Sequence, residues 1–545
     1  MTTSARLPLP PSLYADTAVE ATPTPPLTSD KTVPVAIIGG GFTGLSTALY
    51  LAEQGVLATV LEAQEPGWGA SGNNGGQTNP GLKHDPDQIE QDFGADLGRR
   101  MVEFSYGTTN FTHDLIRRYQ IPCEARQNGT LRAAYNEASA AAIETTAKQC
   151  IQRGMPVKLL NAAELRAMTG SDRYLCALLD ARGGDLHPLS YARGLARAAI
   201  GTGVAVHGET PALRLRRDGS RWRIETPRAI VHADKVLLAT NGFTDDLWPA
   251  LRRTIVPVFS SIAATAPLPD EVARSIMPTR PVLYESGHIT VYYRIDQHNR
   301  LLMGGRGPMR WISKPTDVAY LIRYAERLWP QLKGTSWTHG WNSRLAITAD
   351  HYPHVHEPAE NLLISLGCNG RGVALSTAMG AQLARREFGV RGPRRAVRRL
   401  GELTPVRSPE QRADVRFEVI QLSEPSFEGG EKAAEEAVAA REAEFSLSEI
   451  LHPAVVPIGQ MLQRSFYNDG FSAHMPQLSQ WFADNPRRVE PDDAAWAALA
   501  TDLQAAAEGR TIGIVGTRIN YDVPGTRSLF TSTGRQVRRG LEPPY

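Results

Sequence analysis

The chain has 545 residues, 42% apolar and 21% charged, the balance of an ordinary globular protein with material for roughly two to four domains. Its 59 lysines and arginines nearly cancel 57 aspartates and glutamates, and a net charge of +2 gives no electrostatic case for nucleic acid or a membrane surface. Four scattered cysteines (Cys123, Cys150, Cys176 and Cys368) form no Cys-x-x-Cys pair, which argues against zinc and a disulfide framework. No apolar run approaches the roughly 20 residues of a membrane span, and the N-terminus lacks the layout of a signal peptide. A cytoplasmic protein is therefore expected.

Residues 1–32 are rich in proline, threonine and alanine and read as an extended arm, with Leu13-Tyr14 as a docking point on the body. The next stretch organises everything after it. Val35-Ala36-Ile37-Ile38 reads as a buried parallel strand that enters a Gly-x-Gly-x-x-Gly turn at Gly39, Gly41 and Gly44. Gly39 permits the tight turn, Gly41 lets a pyrophosphate approach the backbone, and Gly44 lets the helix pack close to the strand. The helix, predicted from Phe42 to Gln54, turns its free first N–H groups toward the phosphates, and Gly55 stands where a C-terminal cap belongs. A second strand, Ala58-Thr59-Val60-Leu61, ends at Glu62, whose carboxylate can accept both ribose hydroxyls of an adenosine and would repel a 2′-phosphate. A purely structural βαβ turn is the alternative, but strand, helix and acid together favour a dinucleotide site.

Gly67 through Gln77 is too glycine-rich for a helix or strand interior; it either lies against a flat, extended ligand or is a surface loop. Residues 87–121 and 137–153 read as helices, and Pro156 begins a strand. Gly184-Asp185-Leu186-His187-Pro188 leads into a helix over 189–200 and then a short strand at 204–207. Residues 222–225 and 229–233 look like a hairpin, and 234–238 like a further buried strand ending in Ala239-Thr240-Asn241-Gly242. From Val256 to Gly305 antiparallel strands take over, including His288 to Ile295 and Arg300 to Met303. A helix over 316–329 follows, then the buried strand 361–366, a glycine turn Gly367 to Val373, and a helix to about Arg386. The fold class expected is α/β, with a parallel sheet assembled from distant segments plus an antiparallel layer.

These pieces together resemble the FAD-dependent D-amino-acid oxidase superfamily, which includes glycine and sarcosine oxidases, over residues 10–390. The similarity is closest to its γ-glutamylputrescine oxidoreductase branch, and even Ser12-Leu13-Tyr14-Ala15 of the arm is similar to that branch. The resemblance implies a Rossmann-type FAD domain (segments about 33–85, 180–250 and 340–390) and an antiparallel-sheet substrate domain (about 86–179 and 251–339). By motif, Gly39, Gly41, Phe42, Thr43 and Gly44 would hold the pyrophosphate and Glu62 the adenosine ribose. Gly69, Ala70, Ser71 and Gly72 would line the ribityl side, and Ala212 the adenine. Gly370, Arg371, Gly372 and Val373 would face the pyrimidine edge of the isoalloxazine. Ala63, Thr240 and Asn241 complete the expected cofactor contacts.

The resemblance further implies oxidation of a C–N bond by hydride transfer to flavin N5, giving an imine that water hydrolyses. The substrate would be a small amine or amino acid, and the electron acceptor oxygen or a quinone. Such an amine must lose its proton first, and a dry aromatic pocket favours the neutral form. Tyr284, Tyr292, Tyr293, Trp311, Trp337 and Trp341 are aromatic candidates for that pocket or for plain core. Alternation from His288 puts His288, Thr290, Tyr292 and Arg294 on one face, the candidate pocket wall. Arg344 either grips a substrate carboxylate or the flavin's carbonyl edge, or makes a surface ion pair. Tyr292, Arg344 and Trp341 are thus the catalytic candidates.

Three further features are weighed and set aside. Asp350-His351-Tyr352-Pro353-His354-Val355-His356 has loose spacing and no companion ligands, so no metal is expected. His187, just before Pro188, suits a structural junction better than a catalytic base. Some relatives tether FAD through a cysteine where this chain reads Leu345-Ala346-Ile347-Thr348, so non-covalent FAD is expected. Residues 391–401 form a basic linker. The extension 402–545 joins no resemblance, with helices expected at 431–445 and 496–507 and a strand and glycine turn at 511–518. It is a small fused domain, a protein-contact element or partly disordered, and a flavin-binding protein that recruits partners through it is the competing overall reading.

Overall fold

The computed structural model describes residues 7–287, 290–387 and 476–484, together with positions 494, 498, 501, 502 and 505. Backbone contacts divide the chain into two compact units, Met1–Glu424 and Pro425–Tyr545. The expected basic linker, the helix at 431–445 and the strand and turn at 511–518 lie outside the described residues. In the second unit a helix spans Pro476–Asp484, where the backbone N–H of Gln477 donates to the Asp502 carboxylate at 3.1 Å.

In the first unit the arm carries one helical turn, α1 (Leu13–Thr17), started by Ser12, whose Oγ accepts the Ala15 N–H at 3.1 Å. Leu13 and Tyr14 are buried, as expected of a docking point. The first βαβ unit follows as β1 (Lys31–Ile38), α2 (Phe42–Glu53) and β2 (Ala58–Leu61), with Gly55 at φ +81° just past α2. The glycine-rich stretch corrects its expectation: Ala70–Asn73 forms a short helix, α3, before β3 (Gln77–Thr78). Asn73 and Asn74 make the turn possible, since both side-chain amides bond backward to carbonyls at 68–71.

The helix expected over 87–121 breaks into α4 (Pro86–Phe93) and α5 (Ala95–Arg118) at Gly94, whose φ is +78°. Then come β4 (Thr130–Ala134), α6 (Glu137–Gln152), β5 (Val157–Asn161), α7 (Ala162–Thr169), β6 (Cys176–Asp180), β7 (Gly184–Asp185), α8 (Pro188–Gly201) and β8 (Ala205–His207). The strands β9 (Arg214–Asp218), β10 (Arg221–Glu225) and β11 (Ile230–Leu238) follow. The segments read separately at 229–233 and 234–238 are thus one strand. Its first half pairs antiparallel with β10, and all of it runs parallel to β1.

The second layer holds β12 (Val256–Thr265), α9 (Asp270–Ile276), β13 (Val282–Glu285), β14 (Tyr292–Ile295), β15 (Leu301–Arg306) and α10 (Ala319–Leu328). β16 (Trp337–Ile347) completes it, and β17 (His354–Ala359), β18 (Leu362–Leu366) and α11 (Gly372–Glu387) return the chain to the first layer. The strand expected from His288 is shorter, β14 alone, with 288 and 289 outside the described residues.

One sheet runs β17-β18-β11-β1-β2-β8 with β10 and β9 attached to β11, and its central ladders are parallel. The other runs β16-β12-β15-β14-β13-β4-β6-β5 and is antiparallel except for β13 against β4. In the parallel sheet β2 lies on one side of β1 and β11 on the other. A doubly wound sheet opens its binding crevice at such a reversal, outside the carboxyl ends of the strands. Gly39, Glu62, Ala239 and Gly367 each follow one of those ends. The far face of the antiparallel sheet packs its own core, including Tyr293, Trp329 and Leu321, while its near face meets the arm and α8 through Ile262, Leu302 and Trp341.

Candidate cofactor and substrate site

The glycine turn before α2 is dictated by contact. A Cβ on Gly39, which has φ +113°, would sit 2.7 Å from the Ala239 carbonyl oxygen, and one on Gly44 only 2.0 Å from the Gly39 carbonyl. A Cβ on Gly41 would come 2.8 Å from Ser71 Oγ. No side chain of α2's own N-terminus caps it, and the Phe42 N–H is accepted by Ser71 Oγ at 3.0 Å. Phe42 itself is buried against Tyr191, their centroids 5.0 Å apart, so its side chain anchors the helix while its backbone faces the crevice. The α3 turn is thereby tied to the mouth of α2, which unites two stretches that the sequence singled out separately.

Glu62 lies at the carboxyl end of β2. Its Oε2 accepts the Gly40 N–H at 2.6 Å and its Oε1 the Gln64 N–H at 2.9 Å. Burial raises its pKa, and the N–H groups of Gln64, Gly40 and Ala63 oppose that rise. These donors leave lone-pair capacity on the carboxylate for a ribose hydroxyl. The exposed Ala63 follows, and Thr210 returns a backbone N–H to the Glu62 carbonyl at 2.9 Å, with half-buried Ala212 two residues on. These groups therefore converge on one end of the crevice.

At the other end α11 packs across α2. The Ser46 hydroxyl donates to the Thr377 carbonyl at 2.7 Å, and a Cβ on Gly380 would touch Thr43 O at 2.6 Å. Asn241 (φ +41°) joins the β11 and β18 turns by accepting the Gly367 N–H at 3.0 Å, while the Thr240 hydroxyl bonds that of Thr244. Gly370 has φ +80° and open space around it. Arg371 donates to the Pro80 carbonyl at 3.2 Å and the Tyr284 hydroxyl at 2.9 Å and stacks on the Tyr284 ring; among the described residues no carboxylate pairs with it. Lys83 is a neighbour that sequence reasoning missed. Lys83 is exposed, yet the protein crowding its amine, then the Arg371 and Arg132 guanidiniums, lower its pKa. Only the fold brings residue 83 beside residue 371, so no local pattern announces it.

The near face of the antiparallel sheet closes the site. Tyr292 presses its ring on Gly75 and Gly304, where a Cβ would fall 2.5 and 2.1 Å from ring carbons, and its hydroxyl lies 2.9 Å from Ser260 Oγ. Burial raises that phenol's pKa. Trp341 is fully buried and donates from Nε1 to the Asn73 carbonyl at 3.2 Å. The third catalytic candidate separates from these two. Arg344 is three residues along β16 from Trp341, hence on the opposite face, stacked on Phe243 at 4.6 Å and Trp311 at 5.9 Å. Its Nε is buried without a hydrogen-bond partner, and burial lowers its pKa.

Of the proposed polar wall, Arg294 is a buried anchor. It donates to Gly75 O at 2.9 Å, Asp185 Oδ2 at 2.9 Å and Leu186 O at 3.3 Å. Tyr293 and Trp337 belong to the far core. His187 caps α8, accepting the Ser190 N–H on Nδ1 at 3.1 Å, as a structural residue does. In the Asp350–His356 loop His354 pairs with Asp350 at 2.9 Å, and among the described residues no three His, Cys, Asp or Glu side chains converge as a metal site. No helix among the described residues is long and apolar enough to cross a membrane.

Two glycine-lined helix mouths at the carboxyl edge of a parallel sheet, a ribose-type acid and a roofing antiparallel sheet define a dinucleotide-dependent oxidoreductase. The groove fits FAD: glycines at 39, 41 and 44 leave a cradle that any Cβ would fill, and Gly370 leaves room at the second mouth. Comparison with known proteins agrees. Residues 34–386 match the family described as DAO, FAD dependent oxidoreductase, and the chain belongs to it. It is 33% identical over 376 residues to the gamma-glutamylputrescine oxidoreductase of Escherichia coli (strain K12), covering 68% of this chain and 88% of that protein. A probable oxidoreductase of Haemophilus influenzae is 30% identical over 378 residues, covering 68% and 87%. The glycine oxidase structure from Bacillus cereus superposes with a TM-score of 0.55 at 19% identity, over 65% of this chain and 94% of that one. The expected α/β fold, flavin-dependent class and superfamily are therefore correct.

Proposed function

We propose that the protein oxidises the C–N bond of a small amine or amino acid, using FAD held without a covalent link. FAD, when bound, would supply the two-electron hydride acceptor for this oxidation, the product being an imine that water hydrolyses. The observation that carries the reading is the aromatic roof: Tyr292 and Trp341 sit directly on the Asn73–Gly75 backbone that follows α3. A simple alkylamine with a pKa near 10.4 is about three units from losing half its protons at pH 7, a cost of roughly 4–5 kcal/mol. A roof of this kind excludes water and lowers that cost. The E. coli relative, whose name carries an amine, supports the substrate class.

In this reading the first-turn N–H of Thr43 faces the pyrophosphate beside the Phe42 N–H that Ser71 Oγ occupies, while Glu62 orients the ribose. Gly372 and Val373 open α11 toward the pyrimidine edge, where a helix N-terminus stabilises negative charge by about 0.3–2 kcal/mol. Arg371 adds a full positive charge there.

The test is anaerobic: purified protein mixed with a panel of amines, γ-glutamylated diamines and amino acids, followed at the visible flavin band. Bleaching by at least one member is expected. A yellow preparation inert to the whole panel would overturn the reading. Peroxide formed in air during turnover would make oxygen the acceptor, and its absence would favour the quinone-linked reading.

A further inference from the structure

Tyr14 belongs to the arm, yet it touches two of the side chains that hold the Asn73–Gly75 backbone. Its ring meets Trp341 edge-on with centroids 5.1 Å apart, and its hydroxyl lies 3.1 Å from Nη2 of Arg294. Trp341 grips the Asn73 carbonyl and Arg294 the Gly75 carbonyl. These carbonyls are two residues apart, so the strip of backbone beneath Tyr292 is clamped at both ends by side chains resting on one tyrosine.

The charges behind the clamp make the hydroxyl matter. Asp185 is shared, accepting from Arg294 at 2.9 Å and from Arg126 at 2.6 Å, so one buried carboxylate serves two guanidiniums. Arg294 therefore needs neutral acceptors for its remaining N–H groups, and Tyr14 Oη, Gly75 O and Leu186 O supply them. A buried guanidinium deprived of one acceptor shifts until it finds another. The arm is pinned so that the tyrosine cannot drift. Thr17 Oγ1 lies 3.1 Å from His187 Nε2, Asp16 pairs with His339 at 3.0 Å, and the Val19 N–H donates to Ser190 Oγ at 3.1 Å.

We infer that Tyr14 is a positioning residue: through Trp341 and Arg294 it sets the Asn73–Gly75 backbone against which the flavin ring and substrate lie. The clamp stands on its own hydrogen bonds; only what lies against it rests on the proposed function. The test uses the full chain carrying Tyr14→Phe, which keeps the ring contacts and removes the acceptor. Amide hydrogen exchange at residues 74–77 is expected to speed up about tenfold, the weight of one hydrogen bond to a charged donor, in both apoprotein and FAD-loaded protein. In the loaded protein the visible circular dichroism of the flavin should change. Its anaerobic reduction should slow about tenfold, with half-saturation by substrate shifting less than about twofold.

Faster loop exchange in the apoprotein without any bleaching by substrate would keep the clamp and sink the proposed activity. Unchanged exchange and unchanged dichroism, with only a lower Tm, would make Tyr14 ordinary core and overturn the inference. Should Tyr14→Phe fail to accumulate, Trp341→Phe loosens the same strip from its other end; it must speed exchange at residues 73–75, and unchanged exchange there overturns the clamp.

Discussion

Helices α2 and α8 begin in contrasting ways. α8 closes its own mouth: His187 accepts the Ser190 N–H, and Pro188 fills the first helical position, where no donor is needed. α2 brings no side chain of its own, opens on Gly41, and relies on Ser71, 29 residues away, to occupy the Phe42 N–H. Both starts lie among residues that the sequence marks as motifs, and only one carries its own side-chain cap. A helix whose N-cap is glycine leaves its first donors to a partner outside the helix, whereas one with an internal cap has spent one of them.

The third start, α11, shows a further difference. Around Gly44 the packing is so close that a methyl group would overlap the Gly39 carbonyl, while around Gly370 no atom comes within 4 Å of the same group. One glycine is required by contact and the other by backbone angle alone. That distinction cannot be read from sequence, where both look like glycine turns between strand and helix.

The sharpest way to break the contrast is Gly44→Ala. With a 2.0 Å overlap against backbone on a buried helix, the chain must shift α2 away from β1, at a cost of about 3 kcal/mol or more. The expected outcome is purified protein free of flavin with a markedly lowered Tm. Retention of stoichiometric FAD would show that the mouth of α2 is not the phosphate cradle.

The closed mouth of α8 should answer to protons. Burial, and after it the Arg294 guanidinium, lowers the His187 pKa to about 3. Its Nδ1 accepts the Ser190 N–H, so the ring proton sits on Nε2 and is given to Thr17 Oγ1. The unfolded imidazole titrates near 6.5. Above that pH both states are neutral and the cap's full contribution is present. Between about 6.5 and 3 only the unfolded chain binds the proton, so stability falls on acidification by about 1.4 kcal/mol per pH unit. Urea unfolding of His187→Asn, which keeps a capping acceptor but cannot titrate, should show a flatter acid limb; an identical slope in both proteins would remove His187 as its source.

Much of the parallel sheet was legible. Apolar four-residue runs next to glycine turns announce buried strands, and the spacing from Gly44 to Glu62 is fixed by helix and strand lengths. The α3 turn was missed because its stability comes from Asn73 and Asn74 bonding to carbonyls, whereas composition alone argues against a helix there. The antiparallel layer was harder. Alternation correctly put Tyr292 and Arg294 on one face but could not say that Asp185 waits behind the second of them. Arg344 and Trp341 were both catalytic candidates, and three residues of spacing along β16 puts them on opposite faces. Leu13-Tyr14 was legible as a docking point, but not what Tyr14 touches, because its contact with Arg294 crosses 280 residues, and Lys83 carries no local signature beside Arg371.

Gly370→Ala then tests the open mouth on its own terms. At φ +80° an alanine is strained by about 1 kcal/mol, and nothing stands in the way of its methyl group. The cost should therefore appear in Tm while FAD still binds, in contrast to Gly44→Ala. Calorimetric titration of the apoprotein with FAD separates the two contributions. A stability loss with affinity unchanged within about threefold would mean that the cofactor lies clear of this turn and meets the helix start through the N–H groups of Gly372 and Val373. A drop in affinity beyond tenfold, about 1.4 kcal/mol, would mean that the ring edge lies against Gly370 itself. The space around that glycine would then be ligand volume, and the two mouths would differ only in whether protein or cofactor fills them.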